Sequence, residues 1–63
     1  MAKLVVKIGG NTIKETIVEN KDEAISIAME VAKEAGLYKV AVSIEEEGDT
    51  IIVEVTPVNL AGC

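Results

Sequence analysis

Histidine, arginine, glutamine, phenylalanine and tryptophan do not occur in this 63-residue sequence. Histidine has the side-chain pKa closest to neutrality, so its absence removes the usual general base, proton shuttle and commonest metal ligand. A nucleophilic triad also loses its central member. We therefore predict no enzymatic activity and no catalytic residues, and we expect no cofactor, no metal and no small-molecule substrate.

Aromatic and cationic side chains are scarce as well. Tyr38 is the single aromatic residue, and six lysines stand against eleven Asp and Glu residues, which gives a net charge of −5. Proteins that bind nucleic acid use arginine forks, stacked aromatic rings and a positive surface that meets the phosphates. We therefore expect no nucleic-acid partner.

Cysteine is also rare in this sequence, and its apolar runs are short. Cys63 is the single cysteine and the last residue, so it has no intrachain disulfide partner. Apolar runs such as Ile51 to Val53 stay far below the roughly 20 residues of a membrane-spanning helix. With no recognisable secretory leader, we expect no membrane association and a soluble protein that is cytoplasmic or a recombinant, synthetic product.

Aliphatic and acidic residues dominate what is present. Valine and isoleucine fill 17 positions and glutamate fills nine, while apolar residues make up 49% of the chain. That apolar fraction is enough for a folded chain, and 63 residues leave room for one domain. We predict a single domain over residues 1–63, with an ordered core at 3–56 and a C-terminal tail at 57–63.

Residues 3–18 predict a β-hairpin. Strand alternation over the first half places three apolar residues on one face, namely Leu4, Val6 and Ile8. A two-residue turn at Gly10–Asn11 keeps the apolar residues in register, with Ile8 opposite Ile13 and Leu4 opposite Ile17. This register puts Glu15 on the core face of an edge strand, where its charge still reaches water.

A helix is predicted over residues 21–35. Asn20 is the expected N-cap, because Glu23 three residues later completes a capping box. Gly36 is a natural C-cap with a left-handed backbone. Projection at 100° per residue centres the buried face on small residues, which indicates close approach to a sheet: Ala24, Ala28, Val31 and Ala35.

A second hairpin follows at residues 40–56. Apolar and polar residues alternate along both of its strands. On the hairpin's first strand, Val40, Val42 and Ile44 are predicted to share the core face. A turn at Glu47–Gly48 aligns the apolar residues, with Ile44 opposite Ile51, Val42 opposite Val53 and Val40 opposite Val55. Pro57 then ends the last strand.

The element order is ββαββ, which predicts an α+β fold. The first and fourth strands are the most continuously apolar, so we place them at the centre of a mixed sheet. The predicted strand order is 2-1-4-3, with one helix packed on one face of the four-stranded sheet.

The sequence resembles the immunoglobulin-binding domains of the bacterial protein G type. The resemblance rests on the Lys-Leu start, the Thr-Ile-Lys-Glu-Thr run at 12–16, the helix that ends at Gly36, and the acidic second hairpin. It covers residues 3–56 and implies the β-grasp fold. In that family antibody Fc contacts the exposed helix face, the following loop and an aromatic residue on the third strand. The matching positions here are Glu30, Lys33, Glu34 and Tyr38, but the third strand carries no tryptophan.

Two other interpretations remain open. The ubiquitin-like sulfur carriers share the β-grasp topology, although this chain ends in Ala61-Gly62-Cys63 where they end in Gly-Gly. Two-residue turns, a capping box and a Lys/Glu surface are also typical of de novo designed or idealised proteins. We predict a structural scaffold of that kind. The alternative is a small natural binding module that uses the outer sheet face or the exposed helix face.

Three smaller features have residue types that also occur in binding sites. The carboxylates at 45–49 are predicted to form a solvated turn rather than a calcium site, because they lack calcium-loop spacing. Gly9–Gly10 feeds a strand, so a hairpin turn is favoured over a phosphate loop. Cys63 is predicted to have no role, or to serve as a handle for conjugation or for an intermolecular disulfide.

The outer sheet face is the predicted interface. Apolar residues on this face and in the tail form the candidate set: Val5, Val18, Ala41, Ile52, Val58 and Leu60. A small core closed on one side gains from cover on the other. We expect a homodimer through outer faces or sheet edges.

Overall fold

The computed structural model describes residues 1–58 and contains four strands and one helix. The elements follow the order ββαββ, and their bounds are β1 (Ala2–Ile8), β2 (Asn11–Val18), α1 (Lys21–Glu34), β3 (Val40–Glu47) and β4 (Thr50–Pro57). The strands form one sheet in the order β2-β1-β4-β3, in which β1 and β4 run parallel. The predicted fold class and strand order are confirmed: this is a mixed four-stranded sheet with a β-grasp-like layout.

The hydrophobic core lies between the sheet and α1. Leu4, Val6, Val53 and Val55 are fully buried on the sheet side. On the helix side the buried residues are Ala24, Ala28, Val31 and Ala32. The short alanine side chains let the helix come close to the aliphatic residues of the central strands.

The register of the first hairpin differs from the prediction. The turn residues are Gly9 and Gly10, with φ of 59° and 86°, and they bring Ile8 opposite Asn11. Positive φ at both central residues is the requirement of a type I′ turn, which glycine meets without steric cost. The turn therefore lies one residue earlier than Gly10–Asn11.

A bulge then changes which face of β2 meets the core. The register shifts between Val6 and Lys7. On the side of this shift away from the turn, Val5 lies opposite Glu15 and Leu4 lies opposite Thr16. One extra residue in a strand moves every later side chain to the opposite face. The predicted core positions of Ile17 and Glu15 are wrong, because both side chains are exposed on the outer face.

Helix α1 ends one residue before the predicted limit. The Asn20 side chain accepts a hydrogen bond of 2.9 Å from the Glu23 backbone N–H, as the capping box requires. The Glu23 carboxylate in turn accepts from the Glu19 backbone N–H at 3.0 Å. Ala35 is the C-cap and is exposed, so its predicted place on the buried face is wrong.

The turn of the second hairpin also differs from the prediction, but it lies one residue later. Gly48, with φ of 58°, and Asp49 form the turn between Glu47 and Thr50. As a result Val42 lies opposite Val55 and Ile44 opposite Val53, a shift of two positions from the prediction. A shift by an even number preserves the faces, so Val40, Val42 and Ile44 remain on the core side of β3.

Candidate functional site

The outer sheet face carries a narrow apolar strip. Val5 and Ile52 are direct neighbours on the parallel strands β1 and β4, and both are half-buried. In the same cross-strand row Glu15 flanks Val5 and Glu45 flanks Ile52. The apolar pair predicted from the sequence is present, but a carboxylate borders it on each side.

The other predicted interface residues have different positions. Val18 is 1% exposed and belongs to the core, so its predicted place on the outer face is wrong. Its side chain points inward because the bulge in β2 reversed the strand faces. Ala41 is exposed opposite Thr56, and Val58 is exposed just after β4. Leu60, Cys63 and the tail beyond residue 58 lie outside the described residues.

Helix α1 packs mainly on β4, β1 and β2 and covers the core side of β3 only in part. Val42 and Ile44 are 38% and 36% exposed, although they share the strand face of the half-buried Val40. Aliphatic side chains at these positions are normally covered in a sheet that packs against a helix. Within residues 1–58 the core side of β3 is thus an apolar surface that the fold covers only in part.

A groove of about 490 Å³ lies beside this surface. We call it the α1–β3 groove, and its lining residues are Ile25, Ser26, Met29, Glu30, Ala32, Lys33, Leu37, Tyr38 and Val40. Met29 is 46% exposed and the Tyr38 ring is almost fully exposed. The groove is therefore lined mainly by apolar side chains, and Glu30 and Lys33 are its charged lining residues.

Lys21 and Glu46 link the start of the helix to β3. The Lys21 Nζ lies 2.9 Å from the Glu46 Oε2, and both side chains are about half exposed. The hydrogen bond to Glu46 and its negative charge hold the pKa of Lys21 above the ordinary value of 10.5, and Asp22 adds to the effect. This ion pair ties the acidic end of β3 to the helix N-terminus.

The backbone of β3 presents a regular pattern of hydrogen-bonding groups. The Lys39 carbonyl accepts a hydrogen bond of 3.0 Å from the Val58 N–H, and the ladder then runs continuously from Val40 opposite Pro57 to Glu47 opposite Thr50. Antiparallel partners alternate between hydrogen-bonded and non-hydrogen-bonded pairs. The odd-numbered residues of β3 therefore bond to β4, and the even-numbered residues direct their N–H and C=O groups away from it.

We call this outward side of Val40–Glu47 the β3 edge. In the part of the chain that the structure describes, no strand pairs with it. The stretch from Val40 to Ile44 is uncharged, and its continuous ladder keeps it regular. Such an edge is a template for pairing with another strand.

The opposite edge of the sheet, β2, is protected in two ways. The bulge near Lys7 interrupts its regular spacing, and Lys14 and Glu15 place charges on successive positions. Bulges and charged side chains are the usual devices that prevent edge-to-edge association. The two edges of this sheet are therefore chemically different.

The acidic turn does not gather its carboxylates. Strand alternation sends Glu45 and Glu47 to the outer face, whereas Glu46 faces the helix side and pairs with Lys21. Within residues 1–58 no group of three acidic or sulfur ligands has the geometry to hold a metal ion.

Comparisons with protein-family models, with curated proteins and with solved structures give no match for this chain. The β-grasp-like layout is therefore a statement about topology, and no relationship to the protein G domains is shown. Over residues 1–58, no helix has the length and apolar character that crossing a bilayer requires.

The predicted strand order already places β3 at an edge of the sheet. Sequence reasoning missed the α1–β3 groove and the partial exposure of the core side of β3, because both depend on where the helix lies across the sheet, which the helical pattern does not specify. A usable indication was present in the strand itself, because Val40–Ile44 is an uncharged run on a strand assigned to the edge.

Proposed function

We propose that this protein is a small interaction module that binds an extended segment of another chain as a fifth strand beside β3. The observation that carries the proposal is the partly covered core side of β3, where Val42 and Ile44 remain 38% and 36% exposed next to a regular strand edge. The proposal includes no catalytic step.

Backbone groups supply the affinity in this mode of binding. The outward N–H and C=O groups of Val40, Val42 and Ile44 can each bond to an added strand, as in other β-augmentation complexes. Ladder bonds of this kind are largely independent of the guest sequence, so they explain binding but not selectivity.

Side chains supply the selectivity. Alternate residues of an added strand would lie on the core side, next to Val42, Ile44 and the α1–β3 groove. The groove is mainly apolar, which favours aliphatic or aromatic guests at those positions. Glu45 and Glu47 at one end of β3 favour a basic residue in the guest.

A peptide-display selection against the full chain tests the proposal. We expect enriched peptides with alternating aliphatic residues and a Lys or Arg at one end. Val42→Pro should abolish their binding, since it removes an outward N–H that makes no bond to β4, and proline is tolerated at such an edge position. Amide chemical shifts should change along β3 and the groove.

The matched control is Ile52→Thr, which alters the outer face and retains a β-branched residue. Peptide binding should survive this change. Binding that is lost in Ile52→Thr and retained in Val42→Pro would move the site to the outer face, and a selection that enriches no peptide would reject the module.

A self-sufficient scaffold of the idealised or designed type is the second candidate. The Asn20 cap and the glycines with positive φ at the turns agree with idealised local structure. Exposed aliphatic residues such as Ile13 and Ile17 disagree with it, because design rules keep them off the surface. Thermal unfolding above about 90 °C, together with an empty peptide selection, is the result expected of a scaffold.

A further inference from the structure

The sequence of β3 is complementary to itself when it is read in the opposite direction. From Lys39 to Glu45 it runs Lys-Val-Ala-Val-Ser-Ile-Glu, with Val42 at the centre. We propose that the strand that binds the β3 edge is β3 of a second copy, paired antiparallel about a two-fold axis at Val42. This inference rests on the proposed function and names its partner.

Hydrogen-bond alternation permits this pairing. The even-numbered residues of β3 direct their N–H and C=O groups outward, so a second β3 must pair even with even residues. An axis at Val42 pairs Val42 with itself and Val40 with Ile44 of the other copy. Each of these pairs is of the hydrogen-bonded kind, which gives six ladder bonds across the axis.

Side-chain chemistry selects this register. On the core side, Val40 meets Ile44 and Val42 meets Val42. On the outer side, Ala41 meets Ser43, and Lys39 meets Glu45. Cross-strand aliphatic pairs and opposite charges stabilise a sheet, whereas like charges or mismatched pairs do not. Both Lys39–Glu45 contacts of the dimer are therefore attractive.

Neighbouring registers lose these contacts. An axis at Ser43 places Glu46 opposite Val40, and an axis at Ile44 places Glu46 opposite Val42. An axis at Ala41 moves Lys39 opposite Ser43 and leaves Glu45 without its cationic partner. The Val42 axis alone pairs the whole uncharged stretch with itself and joins both charged ends.

The resulting assembly is a continuous eight-stranded sheet with both helices on one side. A two-fold axis at the pairing residue keeps the core faces of both copies together, as an isologous interface requires. Val40, Val42 and Ile44 of the two chains then form one apolar floor between the two α1–β3 grooves.

A cysteine scan locates the axis. In a Cys63→Ser background, Ala41, Val42, Ser43 and Ile44 are each replaced by Cys and oxidised. Residues directly opposite in a hydrogen-bonded pair have Cα atoms about 5.5 Å apart, within disulfide range. We expect Val42→Cys to form the covalent dimer at least about tenfold faster than the other three, whose like residues lie about 8 Å or more apart in this register.

A charge exchange tests the same register without cysteine. Lys39→Glu alone should weaken dimerisation roughly 2- to 30-fold, since it converts two ion pairs into repulsive pairs. Lys39→Glu combined with Glu45→Lys should restore it. The matched control is Lys39→Glu with Glu47→Lys, which carries the same net charge and should not restore it.

The outcomes separate this inference from the proposed function. A chain that stays monomeric by sedimentation at about 100 µM, or that cross-links fastest at another position, overturns the Val42 dimer. If selected peptides then still bind in a Val42-dependent manner, the module itself stands. Dimerisation that is lost in Ile52→Thr and insensitive to Val42→Pro overturns the Val42 dimer, and peptide binding with the same dependence overturns the β3 module as well.

Discussion

The Lys3 Nζ lies 3.0 Å from the Glu15 Oε1 on the outer face of the sheet. The pair joins β1 to β2 diagonally, because Lys3 lies opposite Ile17 and Glu15 opposite Val5. This contact exists only because the bulge turned Glu15 outward. In a β1–β2 hairpin without the bulge, Glu15 would face the core and Val18 would face solvent.

The bulge makes Val18, rather than Glu15, the sensitive position of β2. Val18→Ala removes buried methyl groups and should lower the free energy of unfolding by about 1–3 kcal/mol. Glu15→Gln removes an exposed ion pair and should cost less than about 1 kcal/mol. Denaturant unfolding measures both. A larger loss of unfolding free energy in Glu15→Gln than in Val18→Ala would contradict the bulge and favour the register without it.

The order of strands was predictable from the sequence, but the registers were not. Strand order followed from which strands are the most continuously apolar, and β1 and β4 indeed lie at the centre of the sheet. The first turn contains two adjacent residue pairs, Gly9–Gly10 and Gly10–Asn11, that each suit a two-residue turn. The choice between them depends on packing of the whole hairpin, which a local pattern does not contain.

The first turn can be improved at Gly9. Its φ of 59° lies in the left-handed region, and a Cβ placed there meets no atom within 4 Å. Asparagine tolerates this conformation, and Asn-Gly is the preferred type I′ pair. Gly9→Asn should therefore raise the free energy of unfolding by about 0.4–1 kcal/mol, mainly by restricting the unfolded chain.

The control for this turn is Gly9→Val. A β-branched residue is strained at positive φ, so this variant should be less stable than the parent although the same space is open. Thermal or denaturant unfolding distinguishes the two. Equal stability of the Asn and Val variants would contradict the assigned turn.

The close approach of α1 to the sheet depends on Ala28. Its side chain is fully buried against the aliphatic residues of the sheet, so Ala28→Leu adds volume to a filled core and should cost about 1–3 kcal/mol. Ala35 has the same side chain but is exposed at the end of the helix. Ala35→Leu should change stability by no more than about 0.5 kcal/mol. Equal losses would mean that the helix face is rotated from the one described.

The candidate site was predictable only in part. Val5 and Ile52 are neighbours in any sheet with the order 2-1-4-3, so alternation was enough to find them. The exposure of Val42 and Ile44 depends on the path of α1 across the sheet, which is set by the packing of Ala24, Ala28 and Val31. Helical periodicity identifies the buried face but not the direction in which the helix crosses.

The ion pair between Lys21 and Glu46 predicts a specific pH dependence. Because Glu46 raises the pKa of Lys21 in the folded state, the pair adds stability that is fully present below the unfolded pKa of 10.5. This contribution is lost as the pH rises through the folded value. Glu46→Gln should lower the pKa of Lys21, which a titration of its side-chain resonances by NMR measures directly.

Glu46→Gln also tests whether the Lys21–Glu46 ion pair contributes to the stability of the fold. The parent should be slightly more stable than Glu46→Gln at about pH 8, and the difference should shrink as the pH rises through the folded pKa of Lys21. Glu47→Gln is the matched control, since it removes a neighbouring charge that does not pair with Lys21. A pKa of Lys21 that responds equally to both variants would show that the general negative charge of β3, and not the contact with Glu46, raises it.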